Sequence, residues 1–127
     1  MSTPDDRRYT KEHEWARLEE DGTVLVGLTD FAQDQLGDIV FVELPEVGAA
    51  VGSDEPFGVV ESVKSVSDLF APISGTIESV NDELLENPAL ANNDPYDAGW
   101  LVVMSIAENV TLDELMTAAD YDDYAAT

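Results

Sequence analysis

Phe57-Gly-Val-Val-Glu-Ser-Val-Lys-Ser-Val-Ser-Asp-Leu-Phe70 decides how this chain is read. The run is strand-like on both sides of Lys64, has no Gly or Pro beside the lysine, and places Lys64 where a β-hairpin turns. Lys64 is one of only two lysines, with Lys11, against 28 acidic residues. A chain with so little use for lysine has put one at a turn, where the amine is open to modification.

Outward from that hairpin the chain alternates short strands with turns. Tyr9 to Trp15 reads as an edge strand. Thr23 to Leu28 follows the Asp21-Gly22 turn signal and reads as a strand. Thr29 to Gly37 reads as a short helix, with Thr29 or Asp30 as cap and Gly37 as its stop. Ile39 to Leu44 reads as a mostly buried strand closed by Pro45. Beyond the hairpin, Thr76 to Val80 is a strand, Asn81 caps a turn of helix through Glu86, and Leu101 to Ile106 is another strand. Strand, helical connection, glycine and apolar strand thus occur once on each side of Lys64. This predicts a mainly β fold, two similar units making a flattened barrel or sandwich with short helical connections. Phe31, Phe41, Phe57 and Trp100 fall in its core on this reading. Thr111-Leu-Asp-Glu114 fits a capping box, so a C-terminal amphipathic helix is expected over about 111–120, with a fraying end beyond it.

The totals bound the class. At 127 residues, 44% of them hydrophobic, the chain reads as one domain, 1–127, with its β core at about 23–106. No stretch approaches the ~20 apolar residues of a membrane span, and no signal peptide is visible, so a cytoplasmic protein is expected. Absence of cysteine removes disulfides and thiolate chemistry, and the lone His13 cannot build a multi-histidine metal site. A net charge of −23 excludes a nucleic-acid role, which needs a basic face. Self-repulsion on this scale opposes folding in dilute buffer, whereas at ~1 M salt the Debye length shrinks to ~3 Å. The charge reads either as a docking surface for basic partners or as salt adaptation, and salt adaptation is the expectation that follows.

An exposed lysine amine does little chemistry unaided, because it is a poor nucleophile unless desolvated. It is, however, reachable by an enzyme that acylates it. Val63 and Val66 flank it, and Ser62, Ser65 and Ser67 leave the tip uncluttered.

Glu61-Ser-Val-Lys-Ser-Val-Ser-Asp68, followed by Ala71-Pro-Ile-Ser-Gly75, resembles the lipoyl-lysine hairpin of the glycine cleavage system H-protein family. The resemblance continues through His13-Glu-Trp15, Val26-Gly-Leu-Thr-Asp-Phe-Ala-Gln33, Leu36-Gly-Asp38, Val42-Glu-Leu-Pro-Glu-Val-Gly48, Val80-Asn81, Asn93-Asp-Pro-Tyr96 and Gly99-Trp100. It spans roughly residues 7–122. It implies a lipoyl/biotinyl-type barrel-sandwich hybrid and a carrier, not an enzyme, with lipoate bound covalently to Lys64. It also implies a route for the arm. A pyridoxal-phosphate glycine decarboxylase loads an aminomethyl group, a tetrahydrofolate-dependent aminomethyltransferase takes it, and dihydrolipoamide dehydrogenase reoxidises the dithiol. A lipoate ligase or lipoyl transferase attaches the cofactor, and a monomer is implied.

By the same resemblance, Glu61 and Gly75 match ligase-recognition positions, though Glu61 also reads as an exposed strand acid and Gly75 as a bend. Glu14 and Asp68 match a polar cleft that shelters the loaded arm, where a carboxylate could pair with the protonated amine. Glu12 departs from the family, since some relatives carry a small hydroxyl residue there.

Other readings compete, among them a purely structural acidic protein and the lipoyl domain of an oxo-acid dehydrogenase acyltransferase, which has an acid before its lysine where this chain has Val63. A biotin carrier places methionine on both sides of its lysine, where this chain has Val63 and Ser65. An H-like protein that relays lipoate to other complexes would share all these motifs. An enzyme using Lys64 as a Schiff-base nucleophile would need a desolvating pocket that a hairpin tip does not provide.

Overall fold

In the computed structural model, which describes residues 3–126, nine strands form two antiparallel sheets. The larger contains β1 (Arg8–Tyr9), β2 (Glu14–Leu18), β3 (Val24–Leu28), β5 (Ala50–Val51), β8 (Gly75–Val80) and β9 (Val102–Ser105), in the order β1-β2-β3-β9-β8-β5. The smaller contains β4 (Ile39–Glu43), β6 (Pro56–Ser62) and β7 (Val66–Phe70), in the order β4-β6-β7. Four helices connect or cover them: α1 (Asp30–Leu36), α2 (Asp82–Glu86), α3 (Leu90–Asn93) and α4 (Ala118–Ala125).

Alternation drives the sandwich. Val24 and Val26 of β3, Val42 of β4, Val60 of β6, Leu69 of β7, Ile77 of β8 and Val102 and Met104 of β9 are all buried in one core. Thr29 caps α1 by accepting from the Ala32 N–H at 3.1 Å, and Gly37 ends it at φ 78°, where a side chain would be strained. A second, aromatic cluster joins the ends of the chain. Trp15 lies fully buried against Gly27, its cross-strand partner, where a hypothetical Cβ would sit 2.4 Å from the indole ring. Its Nε1–H donates to the Pro95 carbonyl at 3.0 Å, and the Arg7 guanidinium covers its ring at 4.5 Å. Tyr9 stacks on Tyr121 with ring centroids 4.9 Å apart.

Several expectations are corrected. The Tyr9–Trp15 segment is not one edge strand but the ends of two, joined by a turn with His13 at φ 66°. The C-terminal helix forms at Ala118–Ala125, not over 111–120. Thr111 only accepts a 3.4 Å contact from the Asp113 N–H, whereas Thr117 caps α4 by accepting from Asp120 N–H at 3.2 Å. Before α4, Met116 exchanges both backbone hydrogen bonds with Tyr9, which holds that stretch extended. The end expected to fray instead buries Tyr121.

The two half-units also part company. β4 pairs with β6 in the small sheet, while β9 lies between β3 and β8 in the large one. Finally, β4 is not mostly buried. A bulge sets Val40 and Phe41 together against Glu61, and both are exposed. Phe57 is buried as expected, and Phe31 and Trp100 pack partly buried on the aromatic cluster.

Candidate functional site: a lysine hairpin beside an acid-floored cleft

Lys64 stands at the middle of a three-residue loop, 63–65, between β6 and β7. Ser62 ties the loop across its base: its N–H donates to the Ser65 carbonyl at 2.8 Å, and its Oγ accepts from the Ser65 N–H at 3.1 Å. The Val63 N–H donates to the Asp38 carbonyl at 3.0 Å, pinning the tip to the end of the α1–β4 connection. The stem of Lys64 runs beside Gly37, whose hypothetical Cβ would lie 3.7 Å from Lys64 Cε. The residue is exposed, and the salt bridges among the described residues all involve Arg7 or Arg17, not Lys64.

From the tip, β7 runs along a cleft of about 190 Å³. Its walls are apolar, with Leu28, Ala32, Leu36, Val60 and Leu69 among them, and Glu12, His13, Glu14, Gln35, Ser67 and Asp68 supply the polar part. Ser67 to Leu69 begin ~10 Å from Lys64 at ~3.4 Å per strand residue. The cleft is therefore within reach of an acyl-extended lysine.

Glu14 is the unusual group. It is only 1% exposed, its Oε2 accepts from the Phe70 N–H at 2.7 Å, and its Oε1 is buried without a hydrogen-bond partner. Burial pushes its carboxyl up to about 8, against the lowering effects of the Phe70 N–H and the Thr10 hydroxyl, and the charges of Glu12 and Asp54 push it further. His13, which faces the same cleft, is held below its ordinary range by burial, and its Nδ1 lies 2.8 Å from the Tyr121 hydroxyl. The Tyr121 hydroxyl in turn lies 2.8 Å from Thr29 Oγ1.

The anticipated site residues therefore fall in three places. Glu61 shares the hairpin with Lys64, three residues before it on β6. Glu14 and Asp68 line one cleft, Glu14 buried at its floor and Asp68 exposed at its rim. Gly75 is elsewhere, paired with Val51 in the large sheet, where a Cβ would sit 2.4 Å from the Ser105 carbonyl oxygen. That close approach is a packing reason for glycine. The apolar wall from α1 was not anticipated, although the inward alternation of Ser67 and Leu69 on β7 signals it.

A lysine lifted on a serine-tied hairpin beside such a cleft is the arrangement of a swinging-arm carrier domain. A family model described as "Glycine cleavage H-protein" matches residues 7–127. The chain is 54% identical over 123 residues to the glycine cleavage system H protein of Bacillus velezensis, covering 97% of this chain and 96% of that one. It is 55% identical over 122 residues to that of Geobacillus kaustophilus, covering 96% and 95%. The crystal structure of a glycine cleavage system H protein from Mycobacterium marinum superposes with a TM-score of 0.90 at 45% identity, covering 98% of this chain and 100% of that one. The chain belongs to the glycine cleavage H-protein family and is a lipoyl carrier of the glycine cleavage system, a non-catalytic subunit.

The Glu14 carboxyl gives a measurable pH signature. Folded, it holds its proton up to about pH 8, whereas its ordinary value is 4.5, so the native state binds more protons between those limits. Stability therefore falls as pH rises through that window, by on the order of a few kcal/mol. Glu14→Gln keeps an acceptor for Phe70 and cannot ionise. Its urea-unfolding midpoint should differ from wild type by a constant amount below pH 4.5 and then gain steadily toward pH 8. Parallel curves across the whole range would show that the carboxyl is not held protonated.

Proposed function

We propose that Lys64 carries lipoate through an amide and that the cleft floored by Glu14 receives the loaded end of the arm. The observation that supports this most is the orphaned Glu14 Oε1, buried in a residue that lines, with Ser67 to Leu69 of the lysine hairpin, a largely apolar groove. A cationic amine is the complement such an oxygen lacks, and the apolar walls suit an aliphatic chain. Lipoate, once attached, supplies the sulfur and redox chemistry. The chain's own residues present it and exclude water: Ser62 holds the tip, Leu36 and Leu69 flank the groove, and Glu14 pairs with the charge. Asp68 contributes a second negative charge at the rim, and Glu12 a third.

The partners proposed are glycine decarboxylase with pyridoxal phosphate, the tetrahydrofolate-dependent aminomethyltransferase and dihydrolipoamide dehydrogenase, served by a monomeric carrier in the cytoplasm. Tethering raises the concentration of cargo at each of these sites without any new contact. A lipoate ligase or lipoyl transferase would read the hairpin through Glu61. For Gly75 the contact with Ser105 supports packing over recognition.

We also propose that the acidic surface is an adaptation to high salt. Five basic residues face 28 acidic ones, and Arg7 and Arg17 are the only basic residues that make salt bridges among the described residues. Most of the negative charge is thus left for counterions to screen.

Intact mass of protein from its native host should show a lipoyl increment that is absent from Lys64→Arg; an unmodified wild type would sink the carrier assignment of Lys64. Once loaded, Glu14→Ala should release its amine cargo about tenfold faster than wild type, the scale of one charge-assisted hydrogen bond; an equal half-life would remove Glu14 from the sheltering role. The melting temperature should climb between dilute buffer and about 2 M potassium chloride as repulsion is screened. A flat profile would argue that the acids serve something other than salt tolerance.

A further inference from the structure

The Glu14 carboxyl is buried without a counter-charge. The residue is 1% exposed, Oε2 accepts from the Phe70 N–H at 2.7 Å, and Oε1 has no hydrogen-bond partner. No basic side chain answers it. The salt bridges among the described residues join Arg7 and Arg17 to Asp6 and Glu19, and the lining of the cleft includes neither lysine nor arginine. The charged and titratable groups around the carboxyl are Glu12 and His13 of the β1–β2 turn, Asp54 of the β5–β6 connection and Asp68 of β7. Three of these are acids. His13 is held below its ordinary range by burial and brings no charge at neutral pH, and the polar contribution of α1 is the amide of Gln35. An anion placed here would have neither water nor a cation to stabilise it, so the carboxyl of the unloaded chain keeps its proton. Because Oε2 accepts from Phe70, that proton belongs on Oε1.

We propose that the cleft captures the ammonium end of the arm by proton exchange: the cation takes the place of the Glu14 proton, and one proton leaves for each arm that enters. This rests on the reading of the cleft as the seat of the loaded arm. The Glu14 Oε1–H bond breaks, its proton passes to solvent, and Oε1 accepts a hydrogen bond from the ammonium. No covalent bond of the cargo is made or broken. A neutral acid becomes a carboxylate at the moment a cation arrives, so the net charge of the cleft is unchanged and a buried anion never stands alone. The Phe70 N–H stays on Oε2 throughout, which lets β7 keep its place while the proton goes. Protons and cargo then compete for one oxygen. Capture strengthens as pH rises and stops strengthening above about pH 8, where the carboxyl of the unloaded chain has already lost its proton. An arm with no cation has nothing to exchange and leaves Glu14 neutral.

The test follows the side-chain carboxyl carbon of Glu14 by NMR in the full lipoylated chain at about 2 M potassium chloride. Its signal is identified by its loss in Glu14→Gln. Three forms of the arm are compared: the disulfide, the reduced arm loaded with the aminomethyl group by glycine decarboxylase and glycine, and a reduced arm carrying an S-ethyl group. The last has the size of the cargo without its charge. The titration midpoint should lie at about pH 8 with the disulfide arm and stay there with the S-ethyl arm. With the loaded arm it should fall by about one to three pH units, the usual effect of an adjacent opposite charge. Loaded wild type should also outlast loaded Glu14→Gln by a margin that widens with pH, at most about tenfold per unit, and is constant above about pH 8. A carboxyl already ionised at about pH 7 with the disulfide arm, or an equal fall with the S-ethyl arm, would overturn the exchange. A midpoint unmoved by loading would overturn it too, and would leave the sheltering role intact if wild type still outlasted the glutamine variant. Equal cargo lifetimes in the two chains at every pH would defeat the sheltering reading itself.

Discussion

One hydrogen bond relates the two halves of the functional site: Glu14 Oε2 accepts from the Phe70 N–H across the junction of the two sheets. Glu14 belongs to β2 of the large sheet and Phe70 ends β7 at the edge of the small one. An edge strand presents N–H groups with no strand partner, and here one of them is satisfied by a buried carboxyl instead. The bond fixes where β7 lies relative to β2, and so fixes the width of the cleft between them. It also occupies one carboxyl oxygen and leaves the other buried without a partner in a residue that lines that cleft. A glutamine could hold the strand equally well. What the acid adds is the capacity to become an anion when something positive arrives.

The large sheet supplies the rigidity this requires. Trp15 follows Glu14 and is locked against Gly27, under Arg7, and to the Pro95 carbonyl. Tyr121 from α4 reaches back to Thr29 and His13. Because backbone alternation sends Trp15 and Glu14 to opposite faces of β2, the aromatic lock on one side holds the carboxyl on the other. The C-terminal helix, distant from Lys64 in sequence, thus bears on the cleft through the Thr29 cap of α1, whose Ala32 and Leu36 form the cleft wall.

Much of this was legible from residues alone. The hairpin position of Lys64 follows from scarcity and strand patterning, the Asp21-Gly22 turn and the Thr29 cap from local chemistry, and the family motif singles out Glu14 and Asp68, which line one cleft. What could not be read was set by partners distant in sequence. The capping-box pattern at Thr111 is as good locally as Thr117-x-x-Asp120, and only the backbone bridge between Tyr9 and Met116 decides against it. Phe41 looks like core in any hydropathy pattern. Its exposure follows from a one-residue bulge, and a strand slipped by one residue exchanges its faces. For Gly75 the residues alone left a bend and a recognition position side by side, because its close approach to the Ser105 carbonyl in the large sheet depends on a partner thirty residues away.

The bulge and the lone lysine belong to one design problem. A carrier must show its attachment point to enzymes that differ in chemistry, yet a chain with a charge of −23 repels other acidic surfaces wherever it turns. Acylation of Lys64, as proposed, would remove the one positive charge of the hairpin, so the unmodified and modified tips would differ electrostatically as well as in length. An apolar contact is insensitive to that change and to the salt that screens it, whereas the acidic side chains beside it respond to both. Val40 and Phe41, exposed at this hairpin, offer such an apolar surface. The acids around it then act mainly on approach, where long-range charge matters, and less on the strength of the final contact.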